Sequence, residues 1–142
     1  MGAKARTGTV VCTAITRTTG GRDHGISRSS DGQLDVKLAR PCSAGMGTNP
    51  EQLFAACWSA CFESAIALVA RKRKVALGEV TIDAEVDLHL ADDDNYFLSA
   101  RLSISIPGVE HAVAQRLVQE AEHLCPYSKA TRGNIDVTFN LL

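Results

Sequence analysis

Five cysteines are the residues of this chain whose type and placement best suit chemistry: Cys12, Cys42, Cys57, Cys61 and Cys125. A thiolate is a nucleophile, and a second thiol within reach lets it cycle through a sulfenic acid to a disulfide. An odd number of cysteines cannot be used up by a complete intramolecular disulfide framework. In a reducing compartment such cysteines are free, metal-bound or redox-active. No CxxC pair occurs, so a structural zinc site has poor support. His24, His89, His111 and His123 share no ligand-like spacing, and Ser128 and Thr131 have no Asp/His constellation for acyl transfer. No metal or bound cofactor is expected.

Cys61 lies inside the stretch TNPEQLFAACWSACFESAIALVA, residues 48–70. Two roles are open to it. Free cysteine is among the most buried residue types and serves as a small hydrophobe. Reactivity instead needs a stabilised thiolate, and Cys61 stands too many turns inside the predicted helix for the helix dipole to lower its pKa. A cation must then come from elsewhere. Arg22, at the tip of the glycine-rich turn TGGRDHG (residues 19–25), is the best candidate, although an exposed turn arginine needs no such role. Glu51 could hold the guanidinium in a planar two-bonded pairing, besides serving the helix start. Cys125 follows a predicted helix and precedes Pro126, which favours a non-helical, accessible or mobile backbone. Its thiol could attack an oxidised Cys61; it is equally a buried sulfur beside a structural proline. Cys57 is the weaker partner, because side chains four residues apart on a helix have Cβ atoms about 5–6 Å apart, whereas a disulfide wants roughly 3.5–4.5 Å.

The elements that must position these residues are legible from periodicity. Thr7–Thr16 is rich in β-branched residues and reads as a first strand. Ile26–Ser30, the Asp31-Gly32 turn and alternating Leu34, Val36 and Leu38 predict two more short strands. Thr48–Lys74 reads as a long helix, with a Thr48/Glu51 capping box, Pro50 in the first turn and a cationic end at Arg71–Lys74. Its apolar residues occupy most of the circumference, which predicts cover on several sides, by a sheet or by a partner subunit. Val80–Leu90 and Phe97–Ile106 alternate as a hairpin around Asp92–Asn95. Val109–Leu124 has helical spacing, and Ile135–Leu141 reads as a last strand. The expected order is βββ-α-ββ-α-β, an α+β domain whose antiparallel sheets wrap the long helix.

With 142 residues, 45% hydrophobic and 22% charged, the chain is expected to be one folded domain over residues 1–142. A formal net charge of −1 gives no nucleic-acid or membrane footprint. The N-terminus lacks an apolar signal region. Glu63 and the Arg71–Lys74 cluster argue against the long helix crossing a bilayer. Arg6 stands where a myristoylation signal wants Ser or Thr after Met1-Gly2. A cytosolic location is expected.

The segments TGGRDH (19–24), TNPEQLFAACWSACF (48–62) and CPYSKATRGNIDV (125–137) resemble, in order and over essentially the whole chain, the organic hydroperoxide resistance branch of the Ohr/OsmC family. The resemblance implies a metal-free cysteine peroxidase that reduces organic hydroperoxides to alcohols. Carried over, Cys61 is the peroxidatic cysteine and Cys125 the resolving one. Arg22 stabilises the thiolate, and Glu51 orients that arginine. It also implies an intertwined homodimer with sites at the subunit interface, and recycling by a dihydrolipoyl group on a partner protein. Phe54, Trp58 and Phe62 are then expected to line an apolar path for alkyl or lipid peroxides. The chain departs from the family pattern at Cys57 (usually glycine), Trp58 (commonly tyrosine or a similar ring), Glu63 (expected apolar), Lys129 (typically asparagine) and the Cys42 loop. The alternatives to an enzyme are a non-enzymatic cysteine redox sensor and an apolar-ligand binding protein.

Overall fold

A computed structural model describes residues 5–142; the Met1-Gly2 pair weighed above as a lipidation signal lies outside them. Contacts divide the chain into two compact units, Met1–Asn49 and Pro50–Leu142.

In the first unit, β1 (Thr16–Thr19), β2 (Ile26–Ser29) and β3 (Asp35–Lys37) form an antiparallel sheet in the order β1-β2-β3. The strand expected over Thr7–Thr16 is displaced: the observed strand begins at Thr16, and residues 5–15 join none. Val11, at 96% exposure, shows why. β-branched residues favour a pleated surface only where a neighbouring strand offers one. The β2–β3 turn is built as expected around Asp31-Gly32. Gly32 takes φ 75°, and the Asp31 carboxylate accepts from the Ser29 hydroxyl at 2.5 Å and the Gln33 N–H at 3.0 Å.

Between β1 and β2 the glycine-rich turn closes into one helical turn, α1 (Gly21–His24). Gly20 and Gly21 both take positive φ, 78° and 71°, which side chains disfavour. A Cβ on Gly25 would stand 2.2 Å from the Gly21 carbonyl oxygen, so only glycine fits where the chain leaves the turn. Arg40 Nε donates to Asp23 at 3.2 Å, tying the turn to the chain that follows β3. Arg22 is thereby carried on a closed, glycine-defined knuckle.

The second unit contains α2 (Pro50–Lys72), β4 (Thr81–Leu90), β5 (Tyr96–Ser105), α3 (His111–Leu124), α4 (Pro126–Thr131) and β6 (Asp136–Leu141). Its sheet runs β4-β5-β6. β4 and β5 form the expected antiparallel hairpin, with Thr81 opposite Ser105 and Leu90 opposite Tyr96. β6 departs from the expectation of purely antiparallel sheets. It pairs parallel to β5, Ser99 opposite Asp136, after the crossover through α3 and α4. A strand returning through helices arrives in the same direction as the one it left. On the outer face Arg101 bonds Asp87 and Glu85 across the hairpin.

α2 buries one face, Trp58, Phe62, Ala65, Ile66, Val69 and Ala70, against β4 and α3. Phe62 stacks on Phe139 with centroids 5.1 Å apart. Each such side chain, once buried, contributes about 1.5–3 kcal/mol. Ala56, Ala60 and Ala67 on other faces stay exposed. By length and composition α2 is apolar enough to cross a membrane, despite Glu63 and the cationic end. In this structure its apolar face forms the core of the second unit.

Candidate active site

Cys61 lies mid-way along α2, three residues after Trp58 and on the same side as Cys57. The CPYS segment comes to it from the junction of α3 and α4. Cys125 both ends α3 and caps α4, with φ −60° and ψ 121°. That extended geometry is what a residue before proline adopts, and Pro126 then occupies the first position of α4, where its missing N–H costs nothing. The sequence reading treats Pro126 as ending a helix. It also starts one, and α4 was not foreseen.

The junction is pinned to α2 by a buried bond. Trp58 Nε1 donates to Ser128 Oγ at 3.2 Å. The Thr131 hydroxyl in turn donates to the Tyr127 and Ser128 carbonyls at 3.0 and 3.2 Å. Ser128 and Thr131, noted in the sequence only for lacking an acyl-transfer constellation, are the buried polar anchors of α4.

With α4 held this way, Cys125 and the Tyr127 backbone stand near enough to Cys61 to act on its thiol. Tyr127 is the second residue of α4, whose N–H has no partner inside the helix. Burial first, and then the Cys125 thiol, push the Cys61 pKa up, while the Tyr127 N–H pulls it down. Within the second unit Cys61 is therefore held as a thiol, and a thiolate requires further positive charge. Both cysteines are free.

The expectation of an accessible or mobile Cys125 is corrected: it is 0% exposed, because its side chain belongs to the buried core of the second unit. The proline leaves the backbone non-helical without leaving it loose. Cys61 is half-buried. Phe62 is fully buried and stacked within the core, and Trp58 is fully buried, so neither lines an open path in this chain. Phe54, half-buried and edge-on to Trp58 at 5.5 Å, remains beside the site. Glu51 stands on the first turn of α2, about 15 Å along the axis from Cys61 at 1.5 Å per residue. Any influence on the thiol must pass through another side chain. Arg22 is exposed on the knuckle of the first unit. Cys12 and Cys42 are exposed.

Tyr127 and Cys57 complete the cluster. The neighbouring Cys57 thiol is the largest reason the Tyr127 proton is held more tightly than in a free phenol. Cys57 Sγ donates to the Phe54 carbonyl at 3.2 Å. Tyr127 was legible only as part of the CPYS phrase, since a backbone N–H leaves no mark on residue type.

Residues 43–140 match the family described as OsmC-like protein. The chain belongs to the OsmC-like family. Among its relatives, the organic hydroperoxide resistance protein of Xanthomonas axonopodis pv. citri is 47% identical over 93% of this chain and 95% of that one. The organic hydroperoxide resistance protein OhrA of Bacillus subtilis is 43% identical over 91% of this chain and 94% of that one. The fold of this OsmC-like protein is that of the crystal structure of OhrB of Bacillus subtilis, with a TM-score of 0.88, 38% identity, and coverage of 94% of this chain and 100% of that one.

Proposed function

We propose that this OsmC-like protein is a thiol-dependent peroxidase that reduces organic hydroperoxides to alcohols, with Cys61 as the attacking and Cys125 as the resolving cysteine. The reading is supported chiefly by the nearness of the Cys125 thiol to Cys61, close enough to act on its titration, at a junction that the Trp58–Ser128 bond pins to α2. The names of the relatives point to the same class of substrate.

The Cys61 thiolate attacks one oxygen of the hydroperoxide. An S–O bond forms, the O–O bond breaks, and the alkoxide leaves as an alcohol after taking a proton. Cys61 is then a sulfenic acid. The Cys125 thiol attacks its sulfur, the S–S bond forms, and the oxygen departs as water. An external dithiol, a dihydrolipoyl group on a protein, returns the disulfide to two thiols by exchange.

Activation of Cys61 falls to Arg22, whose permanent charge would offset the raised pKa, with Glu51 fixing the direction of the guanidinium. Phe54 contributes apolar surface beside the sulfur and so favours alkyl or lipid hydroperoxides. The working unit is a homodimer, which would cover the exposed faces of α2, and the compartment is the reducing cytosol.

The test is steady-state reduction of cumene hydroperoxide and tert-butyl hydroperoxide with dihydrolipoamide, for wild type, Cys61→Ser and Cys125→Ser. Turnover in wild type that is lost in both variants is expected. Oxidation of the wild type without turnover would favour a redox sensor. Undiminished turnover in Cys61→Ser would overturn the mechanism.

A further inference from the structure

The turn that carries Arg22 has little packing to hold it. None of the residues of α1 is buried, so no side chain of the turn is fixed in a core, and segments of that kind open at low cost. Behind it lies a cavity of about 370 Å³, lined by Asp23, His24 and Ile26 on one side and Lys37, Leu38 and Met46 on the other. The exit of the turn is fixed by backbone: the Gly25 N–H donates to the Gly21 carbonyl at 2.9 Å, and the Leu38 N–H donates to the Gly25 carbonyl at 2.8 Å. Asp23, the residue beside Arg22, is held from outside the turn by Arg40 Nε at 3.2 Å.

Arg40 is a firm post for that bond. Just before it, the Ala39 N–H donates to the Thr48 carbonyl at 2.8 Å and the Thr48 N–H to the Lys37 carbonyl at 2.9 Å. Gly47 lets these two segments close, since a Cβ there would stand 2.9 Å from the Lys37 carbonyl oxygen. Just after it, the Ser43 hydroxyl donates to the Arg40 carbonyl at 2.8 Å. The Arg40 backbone is thus anchored on both sides, while α1 is not packed down. The Arg40 and Asp23 side chains are 73% and 40% exposed, and an exposed pair shifts an equilibrium by at most about fivefold. That is too little to build a fold, and enough to bias where a loosely packed turn rests.

We propose that Asp23 and Arg40 are positioning residues of this protein, whose ion pair holds the α1 turn in the arrangement from which Arg22 acts on the Cys61 thiol. The inference rests on the peroxidase reading and on the role that reading gives Arg22. Positioning differs in sign from a direct effect of the two charges. Acting through its own field, the Asp23 anion would oppose a thiolate and the Arg40 cation would favour it, so removing each would have opposite effects. A positioning pair gives one sign, because losing either partner breaks the same bond.

The experiment follows oxidation of the full chain by excess cumene hydroperoxide in stopped-flow tryptophan fluorescence, as a function of pH. Asp23→Asn and Arg40→Gln are each expected to slow attack about two- to fivefold, to move its pH profile upward, and to slow it no further when combined. Arg40→Lys, which keeps the charge, retains most of the rate. The gap between wild type and Asp23→Asn closes as sodium chloride rises to about 1 M, where the screening length is about 3 Å. In an Arg22→Ala background both substitutions are silent. Faster attack in Asp23→Asn, wild-type rates in both variants, or the same slowing in the Arg22→Ala background would overturn the inference while leaving the peroxidase reading intact. Undiminished turnover in Cys61→Ser would instead overturn the peroxidase reading, and this inference with it.

Discussion

The indole N–H of Trp58 donates to the Ser128 hydroxyl at 3.2 Å, across 70 residues of sequence and in a buried setting. Trp58 stands three residues before Cys61, and Ser128 three residues after Cys125. The bond therefore sets the position of the CPYS turn on α2, and with it the approach of the two sulfurs. Replacing Ser128 by Ala leaves the indole N–H buried without its partner and is expected to cost about 1–3 kcal/mol, read by denaturant unfolding. Dimedone capture of the Cys61 sulfenic acid should rise, because the resolving thiol is less well placed. A double cycle with Trp58→Phe should return a coupling of about 1 kcal/mol. Additive effects would show that the bond does not position the turn.

Phe62 is a core residue, stacked on Phe139, and its role is expected to be stability. Phe62→Ala should cost about 3–5 kcal/mol, whereas Phe62→Leu should fold and keep the preference between cumene and tert-butyl hydroperoxide. A changed preference in a fully folded Phe62→Leu protein would return this ring to the substrate path.

The pH dependence of stability follows from the raised pKa of Cys61, caused first by burial and then by the Cys125 thiol. The fold favours the neutral thiol, and the unfolded chain gives up its proton at lower pH. This stabilisation is therefore complete below the unfolded pKa and is lost as pH rises through the folded one. Tyr127, also raised, acts in the same direction. Unfolding midpoints of the isolated protein should fall between about pH 8 and 11, and Cys61→Ala should flatten that fall. At the acid end the sign reverses. Arg101 holds the Asp87 carboxyl below its usual range, so its contribution is lost as pH falls through the folded value, and Arg101→Ala should remove that loss.

On the peroxidase reading, Arg22 is expected to lower the Cys61 pKa. Arg22→Ala should slow hydroperoxide attack about 10–100-fold, as the loss of one charged hydrogen-bonding partner implies. It should also shift the pH profile of attack upward. Arg22→Lys should recover part of the rate, since lysine restores the charge without the planar fork. Stopped-flow tryptophan fluorescence checks both, and an unmoved pH profile in Arg22→Ala would exclude this role.

Much of the architecture was legible because its signals are local. Alternation predicted the β4–β5 hairpin to within a residue at Thr81 and Leu90, and the apolar run with Pro50 predicted α2. Three features were not. Residues 5–15 carry strand propensity without a strand partner, and propensity does not report partners. The parallel pairing of β6 depends on the direction of a crossover rather than on the residues of Asp136–Leu141. α4 was hidden because Pro126 is read equally well as the end of one helix or the start of the next. Of the site, Cys61 and Cys125 were legible as residue types, while the Ser128 anchor that pins the Cys125 junction to α2 was not. Burial of Cys125 reversed the expected accessibility, since an extended backbone says nothing about what covers the side chain.

The most direct measurement is peptide mapping of the wild-type protein immediately after a single equivalent of cumene hydroperoxide. The account predicts one equivalent of alcohol and a Cys61–Cys125 linked peptide as the first disulfide to appear, absent in Cys61→Ser and Cys125→Ser. Oxidation that begins at Cys12 or Cys42, or alcohol formed with the Cys61 and Cys125 thiols still free, would contradict it.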